Sequence, residues 1–572
     1  MRTKLATLAL IPVFFLLVLG LLNLQLIKGD KYRKLSDKNC IRLIPQLGIR
    51  GRISDRNNFV IVDSILSYDV MILPREAGDI DQSLLRLSGI LNTPVKDLKE
   101  NFINNMVSAS IPAAVAKNID AKKAIALEEL KIDFPGLVIQ PNPIRHYRYG
   151  KLACHILGYL NEIDRWRLTK LEDYGYKTKD IVGFGGIEEK YDYYLRQEDG
   201  GLSVEVDRKG RFVRVLGFRP PKNGKNIQLT IDMGIQKIAE DVLGERKGSV
   251  IVMQPDTGAV LAMVSRPNFN PYIFIKRSEY LLSHVFNNPD APLFNRSISG
   301  AYPPGSVFKA IVSSAGLETG KITLRTVSYC PGYLNVGNHR FNCWSTHGQQ
   351  GIIDAIAHSC DVFFYRAGLS LGPQMIYEYA VKFGLAKPTG IDLPYEVGGF
   401  VPHPLWKKIY RFRNWFNGDT VNLSIGQGDL LVTPLQMTRM MAAFANKGKL
   451  ATPYLVKAVE EKDISAMQQK ITNLGLKAAT IEYVRQGLRE VVSDAHGTGN
   501  ILGDLPVSVA GKTGTAEVDG KKSHAWFTGF FPYKDPKFVI CVFLEYGGHG
   551  LESCILTKEI ISRMYREGYI ER

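Results

Sequence analysis

Cysteine is scarce in this chain, with seven residues in 572. That is too few for a disulfide scaffold, so each domain must bury an apolar core of its own. Only one run is long and apolar: Leu5–Ile27 carries no charged residue and is long enough to cross a bilayer as a helix. Nothing later approaches that length, which argues against a polytopic membrane protein. Internal repeats and low-complexity tracts are also missing, so a solenoid is excluded. The net charge of +16 comes with no zinc-finger spacing and no recognition-helix pattern, so no dedicated nucleic-acid reader is expected. The positive balance suits an anionic membrane surface or an anionic polymer instead.

What is present reads as globular. Hydrophobic residues make up 45% and charged residues 22% of the chain, and the length calls for two or more domains. Leu22–Gly29 offers no small-x-small cleavage pattern, so the first run is expected to be an uncleaved anchor rather than a removed signal peptide. Arg2 and Lys4 lie before it and Lys28, Lys31, Arg33 and Lys34 after it, so charge alone does not orient it. The texture changes near Asn226. The division expected is an anchor over 1–28, a first domain over 29–225 and a second over 226–572.

Three short motifs carry chemistry: Ser306-Val-Phe-Lys309, Ser359-Cys-Asp361 and Lys512-Thr-Gly-Thr515. Each is weak alone, but the ordered set is the signature shared by penicillin-binding proteins and serine β-lactamases. Tyr302-Pro-Pro-Gly305 resists helix and lets Ser306 begin one, which puts Lys309 on the same face at i+3. A serine hydroxyl is a weak nucleophile at its own pKa and needs a base. Apolar Phe308, Ala310, Ile311 and Val312 predict a buried helix, and burial pushes a lysine amine towards its neutral form.

Ser359 reads as a hydroxyl relay, although a plain helix cap accounts for it too. Asp361 is discordant: a carboxylate beside Lys309 favours the ammonium and opposes its use as a base, unless Lys512 pairs with the carboxylate instead. Lys512–Ala516 reads as an edge strand on which Gly514 leaves room for substrate. Lysine and hydroxyl groups there bind a carboxylate, and a backbone N–H helps hold an oxyanion. A Walker loop fails, because Pro506 stands where its first glycine is required.

Around these motifs the pattern gives helices near Asp81 and Ala121, a tight turn over Gly183–Gly186, and a strand over Ile227–Asp232. A hairpin follows, turning at Pro255-Asp-Thr-Gly258, then a strand over Phe538–Leu544 and a closing helix over Thr557–Tyr569. Together these predict an α/β sheet on which the motifs converge. Gly547–Gly550 is expected to be a flexible loop, and the basic-aromatic Lys407–Trp415 a loop beside the groove. Cys330 and Cys343, with His339 and His347 nearby, leave three readings open: a disulfide, a Cys/His metal site, or two unpaired cysteines. No metal ligand and no cofactor is assigned.

The chain resembles the class B penicillin-binding proteins over nearly its whole length. Beyond the three motifs, Arg50-Gly-Arg-Ile-Ser-Asp-Arg-Asn57, His155-Ile-Leu-Gly-Tyr159 and Gly185-Gly-Ile-Glu-Glu-Lys-Tyr-Asp192 match segments of their non-catalytic region. Ser-x-Asp in the second motif and Leu423-Ser-Ile-Gly-Gln-Gly-Asp-Leu-Leu-Val-Thr-Pro-Leu-Gln436 resemble the elongation-type subgroup typified by penicillin-binding protein 2. The resemblance implies an α/β (α+β) multidomain fold with a transmembrane helix, a dimerisation-type pedestal and a transpeptidase domain whose antiparallel sheet is flanked by helices.

It further implies a D,D-transpeptidase that cross-links peptidoglycan stem peptides and is acylated by β-lactams. Ser306 is then the nucleophile, Lys309 the base, and Ser359 with Lys512 the proton carriers. Thr513 and Thr515 hold the substrate carboxylate, and the N–H groups of Ser306 and Thr515 form the oxyanion hole. The implied setting is a single-pass inner-membrane protein with an extracytoplasmic catalytic domain. Its implied partner is a polytopic peptidoglycan glycosyltransferase of the shape, elongation, division and sporulation family. Two rivals stand beside this reading: a membrane-bound β-lactamase or β-lactam sensor, and a non-catalytic activator of a glycosyltransferase.

Overall fold

The computed structural model describes residues 2–33, 41–106, 108–109, 111–206, 212–276 and 279–571. Lys34 and Cys40 lie outside them. Helix α1 (Arg2–Leu22) takes up most of the apolar run, and a π-helical turn over Asn23–Ile27 completes it. Among the described residues no helix is long and apolar enough to cross a membrane. The span expected over Leu5–Ile27 is thus met by a helix that changes type at the polar Asn23, not by one continuous α-helical span.

The chain divides into two compact units that do not follow its linear order. One comprises residues 1–51, 64–145 and 196–224, the other residues 52–63, 146–195 and 225–572. In the first, helices Ile80–Leu91 and Ala121–Glu129 start where expected, because Asp79 and Asp120 accept hydrogen bonds from the first-turn N–H groups of Gln82 and Lys123. Leu84, Leu87, Leu91 and Leu127 point inward onto Val70, Ile72 and Val115 and form a small separate core. Strands Ile41–Gln46, Gly200–Val206 and Phe212–Arg219 make a three-stranded antiparallel sheet.

The second unit is organised by a five-stranded antiparallel sheet. Strands β1 (Gly248–Met253) and β2 (Val260–Arg266) form the hairpin expected at the Pro-Asp-Thr-Gly turn. With β3 (Ala510–Val518), β4 (Lys521–Phe531) and β5 (Phe538–Leu544) the order is β2-β1-β5-β4-β3, so the Lys-Thr-Gly strand lies at the edge as expected. Every residue of β1 is buried. The sheet is flanked by helices, including α2 (Lys309–Glu318), α3 (Asp361–Leu371), α4 (Pro434–Ala445), α5 (Ala478–Ser493) and α6 (Gly550–Arg566). All of α4 is buried, the mark of a helix enclosed on every side.

Helix α6 begins seven residues before the Thr557 expected from the sequence, so Gly550 is its first residue rather than part of a flexible loop. Asp55, from the Arg-Gly-x-Ile-x-Asp-Arg-Asn segment, accepts from the N–H groups of Asn57, Phe59 and Met233 and so fastens that turn to the helix Met233–Leu243.

Candidate active site

Ser306 sits in a single 3-10 turn, Gly305–Phe308, which runs directly into α2. Residues three apart eclipse in such a turn, so the i+3 relation to Lys309 holds although the first turn is not α-helical. Val307, Phe308, Ile311 and Val312 are fully buried, and Lys309 with them. Gly305 has φ +56°, and a Cβ there would lie 2.6 Å from Thr515 O. Only glycine permits this approach, and it presses the Ser306 turn onto β3. Gly426 backs the turn from the other side: a Cβ there would fall 2.1 Å from Gly305 O, while Gly305 N–H donates to Gly426 O at 3.0 Å. Trp526 Nε1 donates to Pro303 O at 3.0 Å and fixes the preceding prolines.

The second motif meets the first at Lys309. Its Nζ donates to Asp361 Oδ1 at 2.7 Å, Ser359 O at 2.8 Å and Ser359 Oγ at 3.1 Å. These three bonds use all three hydrogens of an ammonium. The arrangement decides against the alternative that Lys512 pairs with Asp361, since the ion pair is Lys309–Asp361. Ser359 does not cap α3: the N-cap is Cys360 and no side chain caps it. Ser359 takes φ +53°, uncommon for a residue with a Cβ, and in this conformation its hydroxyl meets Lys309. Burial raises the Asp361 carboxyl above its ordinary value, against the opposing pull of the Lys309 ammonium.

On β3, Lys512 is fully buried and its Nζ reaches Thr513 O at 3.3 Å. Burial, followed by the positive Lys309, holds the Lys512 amine well below its ordinary value. The pocket therefore pairs a lysine bound to a carboxylate with one held towards neutrality. Thr513 Oγ1 lies 2.7 Å from Thr498 Oγ1, and Thr515 Oγ1 accepts from Gly550 N–H at 3.0 Å. Gly514 does not simply leave room for substrate. A Cβ there would fall 2.7 Å from Pro304 O and 3.0 Å from Val307 Cγ2, so its space is taken by the turn that carries Ser306.

The structure thus brings Ser306, Lys309, Ser359, Asp361, Lys512, Thr513, Gly514 and Thr515 to one corner between β3, the 3-10 turn and the start of α3. Sequence reasoning missed Thr498 and Gln427. Thr498 follows α5 and reaches Thr513, and Gln427 Nε2 donates to Thr515 O at 3.4 Å. Gln427 was within reach, since it lies in the Ser-Ile-Gly-Gln-Gly stretch. Thr498 carried no signal of its own. Of the basic-aromatic stretch, Pro404–Tyr410 is a short helix, and Lys407 pairs with Asp419.

Cys330 and Cys343 are both free thiols, which removes the disulfide reading. They are not two unrelated loop cysteines either. Cys330 Sγ, Cys343 Sγ, Cys360 Sγ and a His347 ring nitrogen all lie within 4.8 Å of one another, a donor set suited to a soft metal ion. His339 is not part of it and instead packs its ring edge-on to Phe341. A hydrogen bond from Cys360 holds the Cys343 thiol well below its ordinary value, and Cys360 is raised in turn.

Comparison with known proteins agrees with this architecture. The profile for the penicillin binding protein transpeptidase domain matches residues 248–563, and that for the penicillin-binding protein dimerisation domain matches residues 45–229. Peptidoglycan D,D-transpeptidase MrdA of Acinetobacter baumannii is 32% identical over 94% of this chain and 83% of its own length. The protein of the same name from Haemophilus influenzae is 32% identical over 96% of this chain and 89% of its own. Among solved structures, penicillin-binding protein PBP2 of Helicobacter pylori in complex with MreC superposes with a TM-score of 0.81 at 29% identity, covering 93% of this chain and 100% of that one. A chain from a structure on the coordination of polymerization and crosslinking by a peptidoglycan synthase complex gives 0.76 at 27%, covering 100% and 99%.

Proposed function

The chain belongs to the penicillin-binding proteins and is an elongation-type peptidoglycan D,D-transpeptidase; we propose the roles its residues play in that reaction. Ser306 Oγ attacks the carbonyl of the penultimate D-Ala of a stem peptide, forming an acyl-enzyme and releasing the terminal D-Ala. An amine of a second stem resolves that ester as a cross-link. The observation that carries these roles is the Lys309 network, with its amine held 2.7 Å from Asp361 and 3.1 Å from Ser359 Oγ, on the residue that follows the Ser306 turn.

A triply donating ammonium is not a base. Asp361, raised by burial, is suited to take a proton from Lys309 when substrate closes the site, because a neutral pair is cheaper than two ions in a low-dielectric pocket. Lys309 then accepts the Ser306 proton, and Ser359 passes one to the leaving amine. Lys512, held towards neutrality, adds little repulsion to the Lys309 charge and faces the substrate carboxylate with Thr513 and Thr515. The N–H groups of Ser306 and Thr515 receive the oxyanion. The close approach of Gly305 to Thr515 supports this placement. Asp361 is engaged by Lys309 and so is not free to activate a hydrolytic water, which favours transpeptidase over β-lactamase.

The domain reading that accompanies these roles is a pedestal over 29–225 and a transpeptidase domain over 226–572, supported by the two matched segments. The charge-free Leu5–Ile27, helical through α1, supports an N-terminal inner-membrane anchor with the catalytic domain outside the cytoplasm. A polytopic glycosyltransferase is the proposed partner, and stem peptides and β-lactams the ligands. Ser306→Ala tests the central role. Cross-linking of stem peptides is expected to be lost, and its survival overturns the nucleophile assignment.

A further inference from the structure

One stretch of the catalytic unit takes no part in the acyl transfer described above. Residues 404–418 hold four basic and five aromatic residues and no acidic one. Their inner side is used within the fold. Lys407 pairs with Asp419, and its Nζ lies 5.8 Å from the ring centres of both Trp415 and Phe416. Trp415 Nε1 donates to Thr420 Oγ1 and Phe416 N–H to Asp419 Oδ2, each at 2.8 Å. These bonds tie the helix Pro404–Tyr410 to the helix Asn417–Ser424 and hold in place what lies between. The outer side is left to water. Leu405, Ile409, Tyr410 and Phe412 are 61%, 51%, 71% and 88% exposed, with the exposed cations Lys408, Arg411 and Arg413 set among them. Arg411 lies 3.6 Å from Asp429, and among the described residues Lys408 and Arg413 meet no carboxylate. Phe412 has φ +54°, a strained conformation for a bulky residue. Strain and an aromatic ring in water both cost stability, and among the described residues that ring meets no other ring and no cation. Such a position marks a binding role.

The surface is continuous with the catalytic corner. Asp429, which faces Arg411, is two residues beyond Gln427, whose Nε2 donates to Thr515 O. Two residues span at most ~7 Å of chain. The helix Asn417–Ser424 leads into Gly426, which accepts from Gly305 N–H behind the Ser306 turn. On its other flank the stretch meets the hairpin of Tyr333–Val336 and His339–Asn342. A Cβ on Gly418 would fall 3.3 Å from Phe341 Cζ, and the Arg340 guanidinium lies 3.7 Å over the Tyr333 ring. Aromatic and cationic groups thus continue from the stretch onto the hairpin. This mixture suits a polymer that carries both apolar ring faces and negative charge. Peptidoglycan before cross-linking is such a polymer, because its sugars offer C–H faces to aromatic rings and its stem peptides end in carboxylates. An anionic bilayer and a single-stranded nucleic acid also meet cations and aromatics. Continuity with Thr515 favours the polymer on which that site acts.

We propose that residues 405–416 bind the glycan chain of uncross-linked peptidoglycan outside the acyl-transfer pocket. Sugar rings lie on Tyr410 and Phe412, and stem-peptide carboxylates meet Lys408, Arg411 and Arg413. The surface keeps the polymer in place while Ser306 works on one of its stems, which raises the effective concentration of stems at the pocket. The inference rests on the transpeptidase reading and deepens it, since the ligand named is the polymer that the reaction consumes.

The test uses the full chain carrying Ser306→Ala in neutral phosphatidylcholine nanodiscs, so that binding is read without turnover. Labelled uncross-linked glycan chains with their stems are titrated and followed by fluorescence anisotropy. They are expected to bind at least about tenfold more tightly than the free stem peptide, and a rise in salt from about 0.05 to about 0.5 M should weaken them about tenfold. Phe412→Ala should weaken the polymer about tenfold, and so should Lys408→Gln combined with Arg413→Gln. With Ser306 restored, these changes should lower cross-linking of the polymer about tenfold relative to acylation by penicillin, which has no glycan, and should act on KM rather than kcat. Equal falls in the two reactions overturn the proposal, as do variants that bind the polymer like the parent. Tighter binding to phosphatidylglycerol vesicles or to polyuridylate also overturns it, and assigns the surface to a membrane or to RNA. If the transpeptidase reading fails, the parent protein cross-links nothing while the binding comparison still stands, so the two failures are told apart.

Discussion

Lys309 Nζ and Asp361 Oδ1 are 2.7 Å apart, a pairing of the first motif's lysine with the carboxylate that distinguishes the second. The lysine is fully buried and the Asp361 side chain is 14% exposed, so the ion pair is shielded from water and salt. Shielding makes the pair costly to break from one side, and it makes proton exchange within the pair easier than between exposed groups.

Asp361→Asn leaves the Lys309 charge without its counter-ion. The loss expected for half of a buried pair is about 3 kcal/mol, read as a lower melting temperature. Penicillin acylation should slow about a hundredfold, because the lysine loses its proton acceptor. Asp361 raises the Lys512 pKa, so its removal should lower that pKa further. Acylation that is unchanged in the variant contradicts the assignment.

Lys512 makes a linkage prediction. Its folded-state pKa lies well below 10.5, so between those values the unfolded chain binds a proton that the folded chain does not. Stability contributed by this group therefore rises with pH across that window. Lys512→Met should flatten the slope in pH-dependent melting and should not lower the melting temperature at neutral pH. Acylation should nevertheless fall at least about a hundredfold. Retained acylation removes Lys512 from the site.

Thr498 reaches the site through Thr513, at 2.7 Å between hydroxyl oxygens. Thr498→Val keeps the shape and removes the hydrogen bond. The second-order acylation constant should drop about fivefold, the worth of one ordinary hydrogen bond, through weaker binding rather than a slower chemical step. Saturation kinetics separate the two.

Gly305→Ala tests the close contact that seats the nucleophile. The new Cβ meets Thr515 O at 2.6 Å in a backbone region that disfavours it. The expected cost is about 2 kcal/mol of stability, together with a large loss of acylation. An unchanged variant contradicts the placement of that turn against β3.

Much of this site was legible because its parts are local. Pro303, Pro304 and Gly305 announce the break before Ser306, and the apolar flank of Lys309 announces its burial. Lys512–Ala516 read as an edge strand from its own residues, and the sheet order places it at the edge. The pairing of Lys309 with Asp361 was not legible, since spacing along the chain does not say which of two lysines a carboxylate meets. Thr498 is joined to the site by tertiary packing alone, whereas Cys330, Cys343 and His347 were already one open reading of the sequence, to which packing adds Cys360 in place of His339. Gly514 and Gly550 were read as open space and a flexible loop, yet each is needed where backbones touch. The helix at Gly550 was also missed, because its glycine-rich start carries no ordinary cap.

The central claim is that Ser306 is the nucleophile. Its most direct test is peptide mass mapping of the protein after reaction with a β-lactam. One covalent adduct is predicted, on the peptide that contains Ser306, stable for many minutes and absent from Ser306→Ala. An adduct on another residue, or rapid turnover with no adduct, contradicts the account.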